Sequence, residues 1–330
     1  MEIYMISKTD LVKDFYSKYS YPNYGEQVKT AVADTYKNYC VQPGKWLEAG
    51  CGTGHSITGT ALSLPHLEFY GCDLSGPSLD IAKEVTKANK VKVNLLVHNL
   101  MTPLPFDFKF KYISCSGVIH HVETPKIALK NLADKLQDDG FIFIHAYGED
   151  YHRRRFQIIE MLDLISSSTE DMEKRFNYFN SYVQHVRKSQ RKGVLHSIYR
   201  MSIRSVFINL LDWYRYQKTR YMSEKRTVHT WHAEMHNPLF TPRWTDQFAN
   251  PSDRSYNLIQ FNELFEQSGL EVVEYLSLGK FRSEHLPANW ENSYEKLDIK
   301  DQARLMELLN PNPTSPSVVL RKKGTETAIL

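Results

Sequence analysis

Trp46-Leu47-Glu48-Ala49-Gly50-Cys51-Gly52-Thr53-Gly54 is the stretch that decides the fold. Trp46 and Leu47 end an apolar strand, and Glu48 stands at its carboxyl end. Gly50, Gly52 and Gly54 then turn the chain into a helix that begins near His55. Glycine accepts positive φ and lets a ligand approach without meeting a Cβ. Such a turn presents backbone N–H groups at a helix N-terminus, which suits a polar ligand. A dinucleotide fingerprint would place its third glycine three residues after the second. His55 occupies that position instead.

The next elements extend the pattern. Leu67 to Cys72 reads as a second strand ended by Asp73, which lies about 19 residues beyond Gly54, near the spacing of an acid that grips ribose hydroxyls. Ser75 to Asn89 has helical periodicity, with Leu79, Ile81, Ala82 and Val85 on one face. Val91 to Val97 and Tyr112 to Cys115 read as the third and fourth strands. Thr124-Pro125 reads as a helix start, with threonine as cap and proline at the first helical position. That helix is expected to reach about Gln137, with Asp139-Gly140 turning into a fifth strand at Phe141 to Ala146. Strands and helices alternating with short connections imply a parallel sheet covered on both faces.

These motifs, in this order over residues 40 to 147, resemble the class I S-adenosylmethionine (SAM)-dependent methyltransferases, small-molecule type. The run Gly117-Val118-Ile119-His120-His121 is similar to a segment common among them. The resemblance implies a Rossmann-like α/β fold: a seven-stranded, mostly parallel sheet with helices on both faces. It implies SAM as cofactor and S-adenosylhomocysteine as product. Glu48, Gly50, Gly52 and Gly54 would surround the methionine part, Asp73 with Leu74 the ribose, Asn99 with Leu100 the adenine, and Ser116 the methionine end. Tyr24, in a tyrosine-rich N-terminal segment, would close over the cofactor or serve as a packing strap. Two positions depart from the family pattern. Asn99 replaces a frequent aspartate, and Phe110-Lys111 replaces Phe-Asp before the fourth strand.

The 330 residues carry 41 Lys plus Arg, 38 Asp plus Glu and a net charge of +3. No run reaches the ~18 apolar residues of a membrane helix, and the N-terminus lacks the order of a secretory signal. The four cysteines are not at metal spacings. A cytoplasmic enzyme with no membrane partner is expected, and oligomeric state is not legible. Four segments are read: an N-terminal cap (1–40), the SAM-binding core (41–147), an insertion (148–256) and the completion of the core (257–330). In that completion, Asn257 to Ser268 reads as a helix, Glu271 to Leu278 as strand six and Ser317 to Arg321 as an antiparallel last strand.

The insertion leaves after the fifth strand and reads as a mainly helical lid. Helices are expected near Phe156 to Ile165, Met172 to Val186 and Val194 to Tyr216. It is basic, with 18 Lys plus Arg against 10 Asp plus Glu between Tyr151 and Tyr256. Such asymmetry suits an anionic substrate or partner, or solvated helix faces. Nucleic acid is disfavoured, because the charges spread along helices with no RNA-binding module around them. His232 and His236 would share a helix face near His229. A zinc site needs a further ligand and supporting partners, and H-E-x-x-H is absent, so no metal is expected.

The expected chemistry is in-line methyl transfer to an O or N atom of a small-molecule acceptor. Protein or RNA acceptors, or SAM binding without transfer, are the alternatives. His120, His121 and Tyr147 are the catalytic candidates, with His145 and Tyr151 next. A histidine could act as general base, or both could only shape the pocket, since proximity alone can carry transfer to a neutral amine.

Overall fold

The computed structural model describes residues 7–22, 28, 36–165, 246, 250–277, 286–287, 290–309 and 315–325, with a few positions between 174 and 185. The chain divides into two compact units, Met1–Arg154 with Asn250–Leu330, and Arg155–Ala249.

The first unit is built on a seven-stranded sheet. In chain order its elements are α1 (Lys8–Lys18), β1 (Gly44–Ala49), α2 (His55–Ser63), β2 (Leu67–Asp73), α3 (Gly76–Ala88), β3 (Val93–Val97), β4 (Phe110–Ser116), α4 (Pro125–Asp134), β5 (Leu136–His145) and the start of α5 (Glu149–Ile165). After the second unit come α6 (Leu258–Glu266), β6 (Leu270–Tyr275), α7 (Glu291–Tyr294), α8 (Ile299–Leu309) and β7 (Ser317–Lys322). The strand order is β3-β2-β1-β4-β5-β7-β6. The first five run parallel, and β7 lies antiparallel to both β5 and β6. This is the Rossmann-like arrangement expected.

Both sheet faces are dry, as a parallel sheet requires. On one, Trp46 is fully buried and stacks on Phe143 at 5.7 Å, with Ile57, Phe69 and Leu79 around them. On the other, Leu47, Ile113, Leu129, Leu132, Ile142 and Phe261 form the core. Helix starts follow local chemistry. Ser75 caps α3 by accepting from the Ser78 N–H at 3.2 Å, and Asn257 and Gln260 cap α6 reciprocally.

Two local expectations are corrected. Thr124 stands at the N-cap of α4 but makes no side-chain cap hydrogen bond; its carbonyl accepts from Ile127 instead. The helix ends at Asp134 rather than near Gln137, and β5 begins at Leu136. Asp139-Gly140 lies inside β5, where the register against β4 shifts between Phe110 and Tyr112. Glycine fits there because a Cβ on Gly140 would stand 2.7 Å from the Lys111 carbonyl oxygen. Buried Lys111 pairs with Asp139, so this edge is held without the familiar aspartate.

The excursion after β5 leaves and returns at one place. Tyr256 donates its N–H to the Tyr147 carbonyl at 2.9 Å, and Glu149 donates to Tyr256 at 3.0 Å. In the second unit, Ile158, Leu162 and Phe179 are buried, and Arg175 pairs with Asp163 at 2.7 Å. The expected helix at Val194 to Tyr216 and most of that at Met172 to Val186 lie outside the described residues. Among the described residues, no helix is long and apolar enough to cross a membrane.

Candidate active site

The carboxyl ends of the parallel strands carry the site, where open α/β sheets bind ligands. After β1 the chain turns through Gly50 (φ +78°), Gly52 (φ +51°) and Gly54 (φ +77°). These left-handed conformations suit glycine. Gly50 and Cys51 donate to the Cys72 carbonyl at 2.7 and 2.9 Å, and Gly52 donates to Asp73 Oδ2 at 2.8 Å. A Cβ on Gly54 would stand 2.7 Å from Ala82 Cβ, so this glycine lets α2 and α3 approach. The N-cap of α2 is Gly54, with no side-chain capping bond. An uncapped helix start of this kind is one that suits a polar ligand.

Two carboxyls face this turn. Glu48 is buried at the end of β1, and burial pushes its carboxyl up to about 8 against the partial relief of a Ser56 hydrogen bond. Its Oε2 has no hydrogen-bond partner among the described residues. A buried carboxyl oxygen without a donor suits a cationic ligand group. Asp73 accepts from Gly52 on one oxygen and from the Ser75 N–H at 2.9 Å on the other. Burial raises its carboxyl above the usual range, opposed by the backbone N–H groups of Ser75, Gly52 and Leu74. Asn99 lies two residues beyond β3, and its Oδ1 accepts from the Met101 N–H at 3.0 Å. Leu74 is half-buried and Leu100 buried. Asn131 holds the Leu100 carbonyl at 2.9 Å. Ser116 is exposed at the end of β4. Tyr24 lies outside the described residues.

The N-terminal segment rests on the glycine turn. Thr53 donates its hydroxyl to the Pro22 carbonyl, and a Cβ on Gly52 would stand 2.7 Å from the Tyr21 oxygen. Tyr16, on α1, points its ring edge at His121, with centroids 5.9 Å apart.

The histidine loop follows β4. Val118 fills the space where Gly50 would carry a Cβ, so loop and glycine turn are in contact. His120 is fully buried and stacks on Tyr147 at 3.7 Å. His121 lies against His120 at 4.1 Å and Tyr147 at 5.8 Å. The three catalytic candidates therefore form one cluster. Of the next two, His145 ends β5 and burial lowers its pKa, while Tyr151 is exposed.

Sequence reasoning missed Asp253. It sits in the segment returning from the second unit, and its Oδ1 lies 2.6 Å from His121 Nδ1, with both side chains buried. The Ser252 carbonyl lies 3.2 Å from the same nitrogen. Its only signal was its position just before the chain re-enters the core. The donor atoms of His120, His121 and Asp253 all fall within 4.8 Å of one another. The 2.6 Å separation of His121 Nδ1 and Asp253 Oδ1 is shorter than the about 3.3 Å between two ligands on one tetrahedral zinc. His229, His232 and His236 lie outside the described residues.

Residues 47–142 match the family described as "Methyltransferase domain". An uncharacterized protein of Synechococcus sp. (strain ATCC 27144 / PCC 6301 / SAUG 1402/1) is 26% identical over 81% of this chain and 58% of its own length. One from Rickettsia prowazekii (strain Madrid E) is 38% identical over 26% of this chain and 16% of its own. The fold is similar to that of PKMT2 from Rickettsia typhi in complex with AdoHcy, with TM-score 0.65 and 17% identity, covering 93% of this chain and 55% of that one. The chain thus spans little more than half the length of these broader matches. The glycine turn and the two carboxyls lie within the stretch 47–142 that matches a methyltransferase domain, and the sheet is similar in fold to that of PKMT2.

Proposed function

We propose that the chain transfers the methyl group of SAM to an O or N atom of a small-molecule acceptor, releasing S-adenosylhomocysteine. One observation carries this reading: Val118 joins the glycine turn to the histidine loop. That contact sets the glycine turn and the cluster of polar rings side by side, which supports a cofactor held next to its acceptor. Glu48 would meet the ammonium of the methionine part, Gly50 to Gly54 its backbone-lined path, and Asp73 with Leu74 the ribose. Asn99 and Leu100 would take the adenine, Ser116 the methionine end, and Tyr24 the cover. His120, His121 and Tyr147 would line the acceptor. SAM supplies an activated sulfonium methyl. The protein has to orient the acceptor within roughly 3 Å of it and exclude water. The segment between 148 and 256 is proposed as the lid that selects the acceptor, because both its ends are fixed beside Tyr147.

A protein or RNA acceptor is the second reading, favoured by the excess of positive charge between Tyr151 and Tyr256. Labelled SAM incubated with small-molecule, protein and RNA fractions of a cell extract separates the two. Label in the small-molecule fraction alone is expected, and label in protein or RNA alone overturns the first reading. Calorimetric binding of SAM with no label in any fraction would leave a binding protein.

A further inference from the structure

We infer that His145 and Ser317 recognise the methyl acceptor, and that the acceptor is an uncharged molecule bearing hydroxyl groups. This deepens the proposed function and rests on it.

The sheet register brings these residues together. Ser116 ends β4 and pairs with His145, which ends β5. His145 pairs in turn with Ser317, which begins β7. Partners in register point to the same side of a sheet, on strands about 4.7–4.9 Å apart. That side is the one of Phe143 and Val319, two residues inward, because side chains alternate along a strand. The result is a row of hydroxyl, imidazole and hydroxyl at the rim where open α/β sheets bind ligands. Beneath the row the face is apolar: Phe143 and Val319 are buried, and Tyr36 packs on Phe143 at 4.4 Å.

The backbone of the row is spent, and its side chains are not. Gly117 donates its N–H to the His145 carbonyl at 2.9 Å, and Ala146 donates to the Pro316 carbonyl at 3.1 Å. Ser317 donates its N–H to Ser277 Oγ at 3.2 Å. The hydroxyls of Ser116 and Ser317 and the ring of His145 make no hydrogen bond among the described residues. Ser63 and Ser268, by contrast, return their hydroxyls to the carbonyl four residues back. His145 and Ser317 are half-buried and Ser116 is exposed, so a ligand can reach all three.

The donor set selects the ligand. A hydroxyl both donates and accepts, and neutral imidazole carries one donor and one acceptor. Burial alone lowers the His145 pKa, so the ring is neutral at pH 7. Ser116, His145 and Ser317 therefore bring no cation to the row, and an anion taken out of water without one is costly. Alcohol hydroxyls, which also donate and accept, match these groups. Place points the same way. The proposed function gives Ser116 to the methionine end of SAM. His145 then stands one strand spacing beyond it and Ser317 two, on the side left for an acceptor.

The test divides the small-molecule fraction of a cell extract on anion and cation exchangers at neutral pH. Each part is offered to the full chain with labelled SAM. Label is expected in the unbound, uncharged part, and acetylating the hydroxyls of that part should abolish it. His145→Phe removes both ring nitrogens at similar bulk. It should raise the half-saturating amount of this part about tenfold, as loss of hydrogen bonds to a ligand does, with maximal turnover and SAM affinity by calorimetry each within about twofold. His145→Gln, which keeps a donor and an acceptor, should recover most of that loss. Ser317→Ala should raise half-saturation about threefold, and it carries the test if the Phe variant fails to fold. Acceptor activity held by either exchanger, or surviving acetylation, overturns the inference and leaves the proposed function standing. So does a half-saturation that neither substitution moves, or a SAM affinity that falls in step with it, which would give His145 to the cofactor. Label in no part defeats the proposed function, and this inference with it.

Discussion

Gly52 donates its backbone N–H to Asp73 Oδ2 at 2.8 Å, so the acid that ends β2 also fastens the glycine turn that follows β1. Removing the carboxyl therefore has two effects. Asp73→Ala deprives the Gly52 and Ser75 N–H groups of their acceptor, each unsatisfied buried donor costing about 1–3 kcal/mol. It should lower Tm and weaken SAM at least tenfold. Asp73→Asn keeps an acceptor for one of the two N–H groups and turns an NH₂ toward the other, so it should lose affinity with a smaller loss of Tm than Asp73→Ala. Calorimetry and thermal unfolding separate these effects, and a folded Asn variant with unchanged affinity would remove Asp73 from the site.

Glu48 makes stability depend on pH. Burial lifts its carboxyl from an ordinary 4.5 to about 8. Below 4.5 the folded and unfolded chains both carry the proton, and the group contributes no difference. Between these values only the folded chain holds it, so stability falls as pH rises, and the full penalty is present above 8. Glu48→Gln should therefore raise the Tm of the ligand-free protein at pH 9 and leave it unchanged at pH 4. The same variant should weaken SAM at least tenfold. Binding to the parent at pH 7 should release protons, seen as a calorimetric heat that changes with the buffer's ionisation enthalpy.

The contact between Gly50 and Val118 can be tested by a pair of substitutions. Gly50→Ala drives a Cβ into Val118 and keeps a positive φ of 78°. A loss of about 2 kcal/mol is expected, within the range for overpacking. Val118→Ala should recover part of it, because the clash is relieved and the backbone strain is not. Strict additivity in thermal unfolding would show that turn and loop are uncoupled.

Replacing residues 155–249 with a short Gly/Ser linker should leave SAM affinity within a fewfold of the parent and abolish transfer. Retained transfer to the same acceptor fraction would sink the assignment of specificity to this segment.

What could be read from the sequence was local or periodic. The turn at Gly50 to Gly54, the acid at Asp73 and the histidines after β4 announce themselves within a few residues of a strand end. Asp253 did not. It meets His121 across more than a hundred intervening residues, and nothing near Pro251-Ser252-Asp253 marks a partner. That Asp73 ties the glycine turn was equally hidden, because an acid proposed for ribose and an acid that ties a turn read alike at that position. The early start of β5 was missed because Asp139-Gly140 reads as a turn, whereas three-dimensional pairing with β4 absorbs it as a register shift.

The clasp at Tyr147 and Tyr256 has a consequence for how such a protein can diversify. Two backbone hydrogen bonds close the excursion at its base. The excursion holds a compact unit of its own, and even a flexible chain between fixed ends would cost only about 0.6 kcal/mol more for each doubling of its length. The sheet's register is thus indifferent to how many residues lie beyond the clasp. Lineages can lengthen, trim or exchange that segment while inheriting the strand order intact. Only the residues nearest the clasp, with Asp253 among them, must keep step with both halves.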